Sequence, residues 1–343
     1  MTEELKNWQK IKAEPEKLAK FFWREKTIDL LRQFFKARDF HEVETPLLVP
    51  NPGTEPYLEV FATKLQLEAE ELKTAFLVTS PELQMKKLLA AGLGNIFQIG
   101  KSFRNGEGRS PTHNSEFTIL EYYRQDATYL DLMNDMDTLL PYLAGGMTLT
   151  YQGKKYDLSC GCERIKVREA FEKYAQINEN ELLDKEKLCQ KAREKGYQIN
   201  EKTTWEEAYN QIFLNEIEPQ LGQDKPTIVY DYPREQAALA KLCDDDQNYA
   251  QRMEIYLAGL ELGNGFSELT DAAEQESRCQ ADLRERARLG KVAYDYDHDF
   301  ITALKEIDFK AAGIAIGVDR LIMLLADAAD LAEVTFFPTR EIF

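Results

Sequence analysis

The sequence predicts an α+β fold: a largely antiparallel sheet flanked by helices. Three observations support this. Strand-like segments occur towards both ends of the chain with helical segments between them, which favours α+β over a strictly alternating β-α-β order. Two neighbouring segments, 96–104 and 116–124, alternate with period two. A second pair, within 252–266, reads as a tight hairpin.

The elements follow in order. Residues 1–20 form a polar, helix-compatible leader. From Phe21 to Arg38, Ile28, Leu31, Phe34 and Phe35 recur at helical spacing and make one apolar face. Asp39 to Thr45 reads as a strand stopped by Pro46. Pro50, Pro52 and Gly53 mark a loop, and 57–79 holds short strands around a charged segment. Pro81 to Ala91 reads as a helix with proline near its first turn. In 96–104, Phe97, Ile99 and Phe103 share one face and Gln98, Ser102 and Arg104 the other. In 116–124, Phe117, Ile119, Glu121 and Tyr123 share a face. The connection Asn105 to Ser115 is unusually polar for a hairpin loop. A mainly helical region with one hairpin is expected over about 128–225, and strand character resumes at Thr227–Tyr230. Residues 271–290 form a charged helix, and Gly313–Val318 is an apolar strand leading into a helix from Arg320 to Ala326.

Composition sets bounds. The 343 residues, 43% hydrophobic, can build a large single core or a core with a small subdomain. The net charge of −17 argues against an extensive nucleic-acid footprint, which needs clustered lysine and arginine. The charged N-terminus has no apolar signal core, and no run of about 18 apolar residues predicts a membrane span. Five scattered cysteines read as free thiols in a reducing cytosol, and a cytoplasmic location is expected. Cys160 and Cys162 would need further ligands to hold a metal, and the chain has three histidines.

The 252–266 hairpin carries chemistry. With Ala258–Gly259 as the turn, Leu257 faces Leu260, Ile255 faces Leu262, and Tyr256 pairs with Glu261. Glu254, Tyr256 and Glu261 then share a face, with the two carboxylates as diagonal neighbours. Like charges so placed invite a cation, and oxygen ligands on a rigid sheet suit Mg²⁺. The same residues also read as a solvated polar face. In Gly263-Asn-Gly-Phe-Ser-Glu268, two glycines around Asn264 indicate a bulge or a close backbone approach to a ligand, and also read as an ordinary turn. A one-residue bulge would bring Asn264, Phe266 and Glu268 onto the face of Glu261. Arg104 and Arg320 offer the planar, permanently charged fork that suits a triphosphate. Phe117 and Tyr123 read either as core aromatics or as a stacking platform.

Together these segments resemble the class II aminoacyl-tRNA synthetases, most closely the lysyl branch. The first helix with Phe40-His-Glu-Val-Glu-Thr-Pro46 resembles motif 1, which implies a homodimer. Phe103-Arg-Asn105 and His113-Asn-Ser-Glu-Phe-Thr-Ile-Leu-Glu-Tyr-Tyr123 resemble motif 2. Gly313-Ile-Ala-Ile-Gly-Val-Asp-Arg320 resembles motif 3. Thr79-Ser-Pro-Glu-Leu83 and Glu261 to Glu268 resemble lysyl-specific segments.

The resemblance implies ATP as substrate, Mg²⁺, and residue roles. Arg104 would hold the α-phosphate and the amino-acid carboxylate. Phe117 would stack on adenine opposite Arg320, which also reaches the γ-phosphate, with Glu107 and His113 lining the ATP site. Glu254 and Glu261 would hold Mg²⁺. Glu82 would accept the α-ammonium of lysine, Glu268 and Tyr123 the ε-ammonium, with Asn264 and Phe266 completing the pocket. A carboxylate is required there because burying an unpaired ammonium is costly.

With about 20 residues before motif 1, no anticodon-binding barrel is expected. The catalytic domain is expected to span 21–343. Within the lysyl branch, the chain thus resembles the truncated paralogues that attach β-lysine or lysine to a lysine of translation elongation factor P. Lys225 to Tyr230 and Tyr232 to Ala240 also resemble that group. Ala315 stands where lysyl synthetases usually have glycine, a change in the pocket floor that could favour β-lysine. Gly263 and Ser267 resemble the tRNA enzymes instead, and the motif 2 loop 105–112 is one residue longer than in either group. The alternatives are a tRNA-acylating enzyme and a non-catalytic module on the same fold. A basic patch would mark the first, and loss of Arg104, Arg320 or the glutamate pair the second.

Overall fold

A computed structural model describes residues 5–68, 71–107 and 110–343. In chain order the strands are β1 (His41–Glu42), β2 (Leu48–Val49), β3 (Ala62–Glu68), β4 (Glu71–Leu77), β5 (Ile96–Phe103), β6 (Glu116–Gln125), β7 (Thr148–Tyr151), β8 (Lys154–Asp157), β9 (Glu163–Lys166), β10 (Thr227–Pro233), β11 (Tyr249–Leu257), β12 (Leu260–Ser267) and β13 (Ala311–Gly317). The chain divides into two compact units: 1–126 with 150–154 and 270–343, and 127–149 with 155–269. The fold is α+β, with mostly antiparallel strands flanked by helices. Among the described residues, no helix is long and apolar enough to cross a membrane.

In the first unit the strand order is β1-β5-β6-β13, and β2-β4-β3 form a separate small sheet. β5 with β6, and β6 with β13, are antiparallel. β1 lies parallel to β5, a departure from a purely antiparallel sheet. It is two residues long, shorter than the strand expected over 39–45. The helix Leu18–Lys36 covers one face. Phe35 lies 5.1 Å from Phe97 and 4.7 Å from Tyr122, centroid to centroid. These apolar members of β5 and β6 therefore point to the helix, and the alternate residues point to the other face. On that other face, Ile96 and Tyr123 cluster with Met85 and Leu89 of the helix Glu82–Ala90 and with Phe300 and Leu304. The N-terminal helix Asn7–Ala13 is anchored by buried Asn7, which donates to the carbonyls of Ala332 and Thr335.

In the second unit the order is β12-β11-β10-β9, with β9 parallel to β10 and the other pairs antiparallel. The hairpin turns at Ala258 (φ 56°) and Gly259 (φ 73°), the positive-φ pair that a two-residue type I′ turn requires. The region preceding β10 is largely helical, with short helices up to Glu218–Gln220. Its Trp205, Tyr209 and Phe213 stack in succession, with centroids 4.9 and 5.5 Å apart. They belong to a core that also contains Tyr232 and Tyr256. Gly222 admits no side chain: at φ +65°, a Cβ would lie 2.7 Å from the backbone of Leu257.

Candidate active site

In the first unit, the register across β5, β6 and β13 sets the site. Gln98 pairs with Glu121, which pairs on its other side with Ala315. Ser102 pairs with Phe117, and Tyr123 with Gly313. Gln98, Ser102, Phe117, Glu121, Tyr123 and Ala315 therefore share the face away from the Leu18–Lys36 helix. The Tyr123 hydroxyl donates to Glu121 Oε1 at 2.5 Å, which confirms the shared face. Arg104 follows β5, and its guanidinium lies 5.2 Å from the Phe117 ring centroid, within cation–π range.

The second arginine is placed by the start of the helix Val318–Leu325. Asp319 accepts from the Thr118 backbone N–H (2.7 Å) and pairs with Arg24 (2.5 Å), so the turn is locked onto β6. Next to it, Arg320 donates to His113 Nε2 at 2.7 Å. His113 Nδ1 lies 3.1 Å from Ser110 Oγ and 3.2 Å from Thr112 Oγ1. Burial, reinforced by the Arg320 charge, holds the His113 pKa below the ordinary histidine value. A neutral ring is the form that can accept from arginine. The carbonyl of Glu107 accepts from Ser115 Oγ (2.9 Å). The 105–112 loop, read as one residue longer, includes Gly108 and Arg109, which lie outside the described residues.

Glu82 opens the helix Glu82–Ala90, and its carboxylate pairs at 2.7 Å with Lys86, a lysine 2% exposed. Glu55 lies close enough to feel Glu82, Arg104 and Arg286. Burial first, then Glu82, raises its pKa. Arg286 fixes this loop by donating to the carbonyls of Glu55 and Leu58.

In the second unit, the hairpin register corrects one expected pair. Tyr256 pairs with Glu261 as expected, but Ile255 pairs with Gly263, because Leu262 is an extra residue in β12. This bulge changes parity, so Glu254 pairs with Asn264 and Arg252 with Phe266. Glu254, Glu261, Asn264 and Phe266 thus share a face. Buried Glu268 bridges to Ala240 beyond the end of β12.

Glu254 is tightly held. Its Oε2 accepts from Tyr232 (2.7 Å) and Tyr256 (2.6 Å), and its Oε1 from Arg252 (2.8 Å). Burial and the Glu254 charge push both tyrosine pKa values well above the usual range. Tyr232 reaches this face because Asp231 (φ 56°) interrupts the β10–β11 register. Among the described residues, no three acidic, histidine or cysteine side chains gather as a metal cluster. Two carboxylates nonetheless suit Mg²⁺, which completes its shell with phosphate oxygens and water. Glu254 and Glu261 fit that donor set in number and kind. The five cysteines are free thiols.

The structure thus brings Arg104, Phe117, Glu121, Tyr123 and Ala315 onto one face in the first unit, and Glu254, Glu261, Asn264 and Phe266 onto one face in the second. Sequence reading assigned no role to Gln98, Glu121, Glu55, Lys86, Asp319, Arg252 or Tyr232. Glu121 had a usable signal, two residues before Tyr123 on a strand. The rest depend on register or on contacts between distant segments.

Comparison with known proteins gives the family. Residues 4–341 match the family described as tRNA synthetases class II (D, K and N). The elongation factor P–(R)-beta-lysine ligase of Avibacterium paragallinarum is 40% identical over 317 residues, covering 92% of this chain and 93% of the relative. The ligase of the same name from Histophilus somni is 40% identical over 321 residues, with 92% and 93% covered. That from Haemophilus influenzae is 37% identical over 316 residues, with 92% and 93% covered. The chain belongs to the class II tRNA synthetase (D, K and N) family.

Proposed function

We propose that this protein uses ATP to activate β-lysine, or lysine, as an aminoacyl-adenylate and transfers it to a lysine side chain of elongation factor P. The observation that carries this reading is the 37–40% identity to elongation factor P–(R)-beta-lysine ligases over 92% of the chain. In the first step a substrate carboxylate oxygen attacks the α-phosphorus, and the bond to the departing pyrophosphate breaks. In the second, the acceptor's neutral amine attacks the adenylate carbonyl. AMP leaves, an amide forms, and the amine proton passes to solvent.

No residue is needed as a nucleophile, so positioning and charge stabilisation carry the chemistry. In the first unit, Arg104 holds the α-phosphate and the substrate carboxylate. Phe117 stacks on adenine opposite Arg320, which also reaches the γ-phosphate, with Glu107 and His113 alongside. Glu82 takes the backbone ammonium and Tyr123 the side-chain ammonium, above a floor containing Ala315. In the second unit, Glu268 serves the side-chain ammonium, and Asn264 and Phe266 line the pocket. Glu254 and Glu261 would hold Mg²⁺, which supplies charge neutralisation of the phosphates when bound.

The domain reading is a catalytic domain over 21–343 with a mainly helical insertion at about 128–225. A cytoplasmic location fits an acceptor that acts in translation, and a homodimer rests on the motif 1 resemblance.

The test is transfer of labelled lysine, and separately β-lysine, to purified elongation factor P and to lysine tRNA, with no-acceptor controls. Labelled elongation factor P is expected, with the better isomer identifying the substrate. Labelled tRNA alone would replace the reading with the synthetase alternative. Absence of any adenylate would leave the non-catalytic one.

A further inference from the structure

Polar atoms that are buried without a hydrogen-bond partner are rare, because each gives up its bonds to water and gains none in return. Three occur along one stretch of this chain: Gln98 Oε1, Ser102 Oγ and Arg104 Nε. Gln98 is 4% exposed and Ser102 fully buried. Spaced by even numbers, all three lie on one side of β5 and the residue that follows it. That side is opposite Phe97, whose ring stacks on Phe35 of the Leu18–Lys36 helix. The orphaned groups therefore share the face of Phe117, Glu121 and Tyr123.

Gln98 has the most specific surroundings. Glu121 is its direct cross-strand partner, and Ala315 continues the same row on β13. Tyr123, one step along that face, donates to Glu121. Gly100 leaves room for the Gln98 amide, since a Cβ there would stand 3.0 Å from Gln98 Nε2. A carbonyl oxygen without a donor, beside a carboxylate and a tyrosine, is complementary to a ligand rich in N–H donors and carrying positive charge. A primary ammonium has three donors.

We infer that Gln98 is a specificity-determining residue whose side-chain carbonyl accepts a hydrogen bond from the side-chain ammonium of the amino-acid substrate. This rests on the proposed activation of lysine or β-lysine and adds a neutral acceptor to its ammonium pocket. A neutral acceptor adds a bond without adding a negative charge beside Glu121. Gln98 therefore helps to select a primary ammonium over an apolar side chain of the same length.

The experiment measures amino-acid-dependent ATP–pyrophosphate exchange by wild type, Gln98→Leu and Gln98→Glu, with lysine, β-lysine and norleucine. Thermal unfolding is followed in parallel. For the better lysine isomer, Gln98→Leu is expected to raise KM about tenfold, the factor given by about 1.4 kcal/mol. The KM for ATP should stay within about twofold, and norleucine activation should be unchanged or improved. The Tm of Gln98→Leu should not fall, because an orphaned amide is replaced by an apolar side chain. Gln98→Glu, which keeps the acceptor, should retain more lysine activation than Gln98→Leu. An unchanged KM for lysine in Gln98→Leu, or a joint loss of lysine and ATP affinity with a lowered Tm, overturns the inference. Lack of lysine- or β-lysine-dependent exchange by wild type overturns the functional reading on which it rests.

Discussion

The Tyr232 hydroxyl donates to Glu254 Oε2 across 2.7 Å, joining a tyrosine of β10 to a carboxylate of β11 that Arg252 and Tyr256 also hold. The Arg252 and Glu254 side chains are 14% and 11% exposed, so their ion pair is largely shielded from water. Removing one partner leaves a buried charge uncompensated, at a cost of about 3–5 kcal/mol. Glu254→Ala is therefore expected to lower unfolding free energy by about that amount, measured by urea denaturation. Tyr232→Phe should lose about 1–2 kcal/mol, since Tyr256 and Arg252 remain. Equal stability of Glu254→Ala and wild type would show that the network does not hold β10 and β11 as described.

A second expectation concerns pH. The folded-state pKa of His113 is lowered by burial and by Arg320. The unfolded chain therefore binds the proton more readily, and His113 contributes stability above the ordinary histidine value that is lost as pH falls through the folded pKa. Urea midpoints of wild type should decline as pH drops below about 6.5, and His113→Gln should flatten that decline. In Arg320→Ala, NMR titration should find the His113 pKa raised, and ATP affinity should fall. An unchanged affinity would remove Arg320 from the ATP site.

The Glu268 assignment separates amino acid from nucleotide. Glu268→Gln is expected to raise KM for lysine or β-lysine about tenfold or more, because a buried ammonium loses its charged partner. ATP binding should stay within about twofold. Parallel loss of both affinities in calorimetry and exchange assays would place Glu268 in structural support rather than in the pocket.

Gly222 tests the backbone. Its positive φ and the 2.7 Å approach to Leu257 leave no space for a methyl group. Gly222→Ala should cost more than the roughly 1 kcal/mol of αL strain alone, since the Ala258–Gly222 backbone hydrogen bond (2.8 Å) must also shift. A Tm within a degree of wild type would contradict that contact.

Much of this was legible in the chain. Period-two alternation predicted β5, β6 and their two faces, and the 2.5 Å Tyr123–Glu121 bond bears that out. The local sequence places the turn at Ala258–Gly259, where the structure has it, and allows a bulge near Gly263, while the structure makes Leu262 the extra residue. A bulge is selected by the packing of both strands, so local sequence allows several positions for it.

The amino-acid sequence by itself determined the α+β class, the two faces of β5 and β6, and the candidate arginines and carboxylates. Those properties follow from side-chain period and chemistry along a single segment. Tertiary structure alone decided that Gln98 stands in one row with Glu121 and Ala315, that Asp319 locks the turn before Arg320, and that Tyr232 reaches Glu254. Each of these joins segments that lie far apart in the chain, or depends on which residues two strands place opposite one another. Cross-strand register is set by the packing and hydrogen bonding of the whole sheet, and no single segment encodes it.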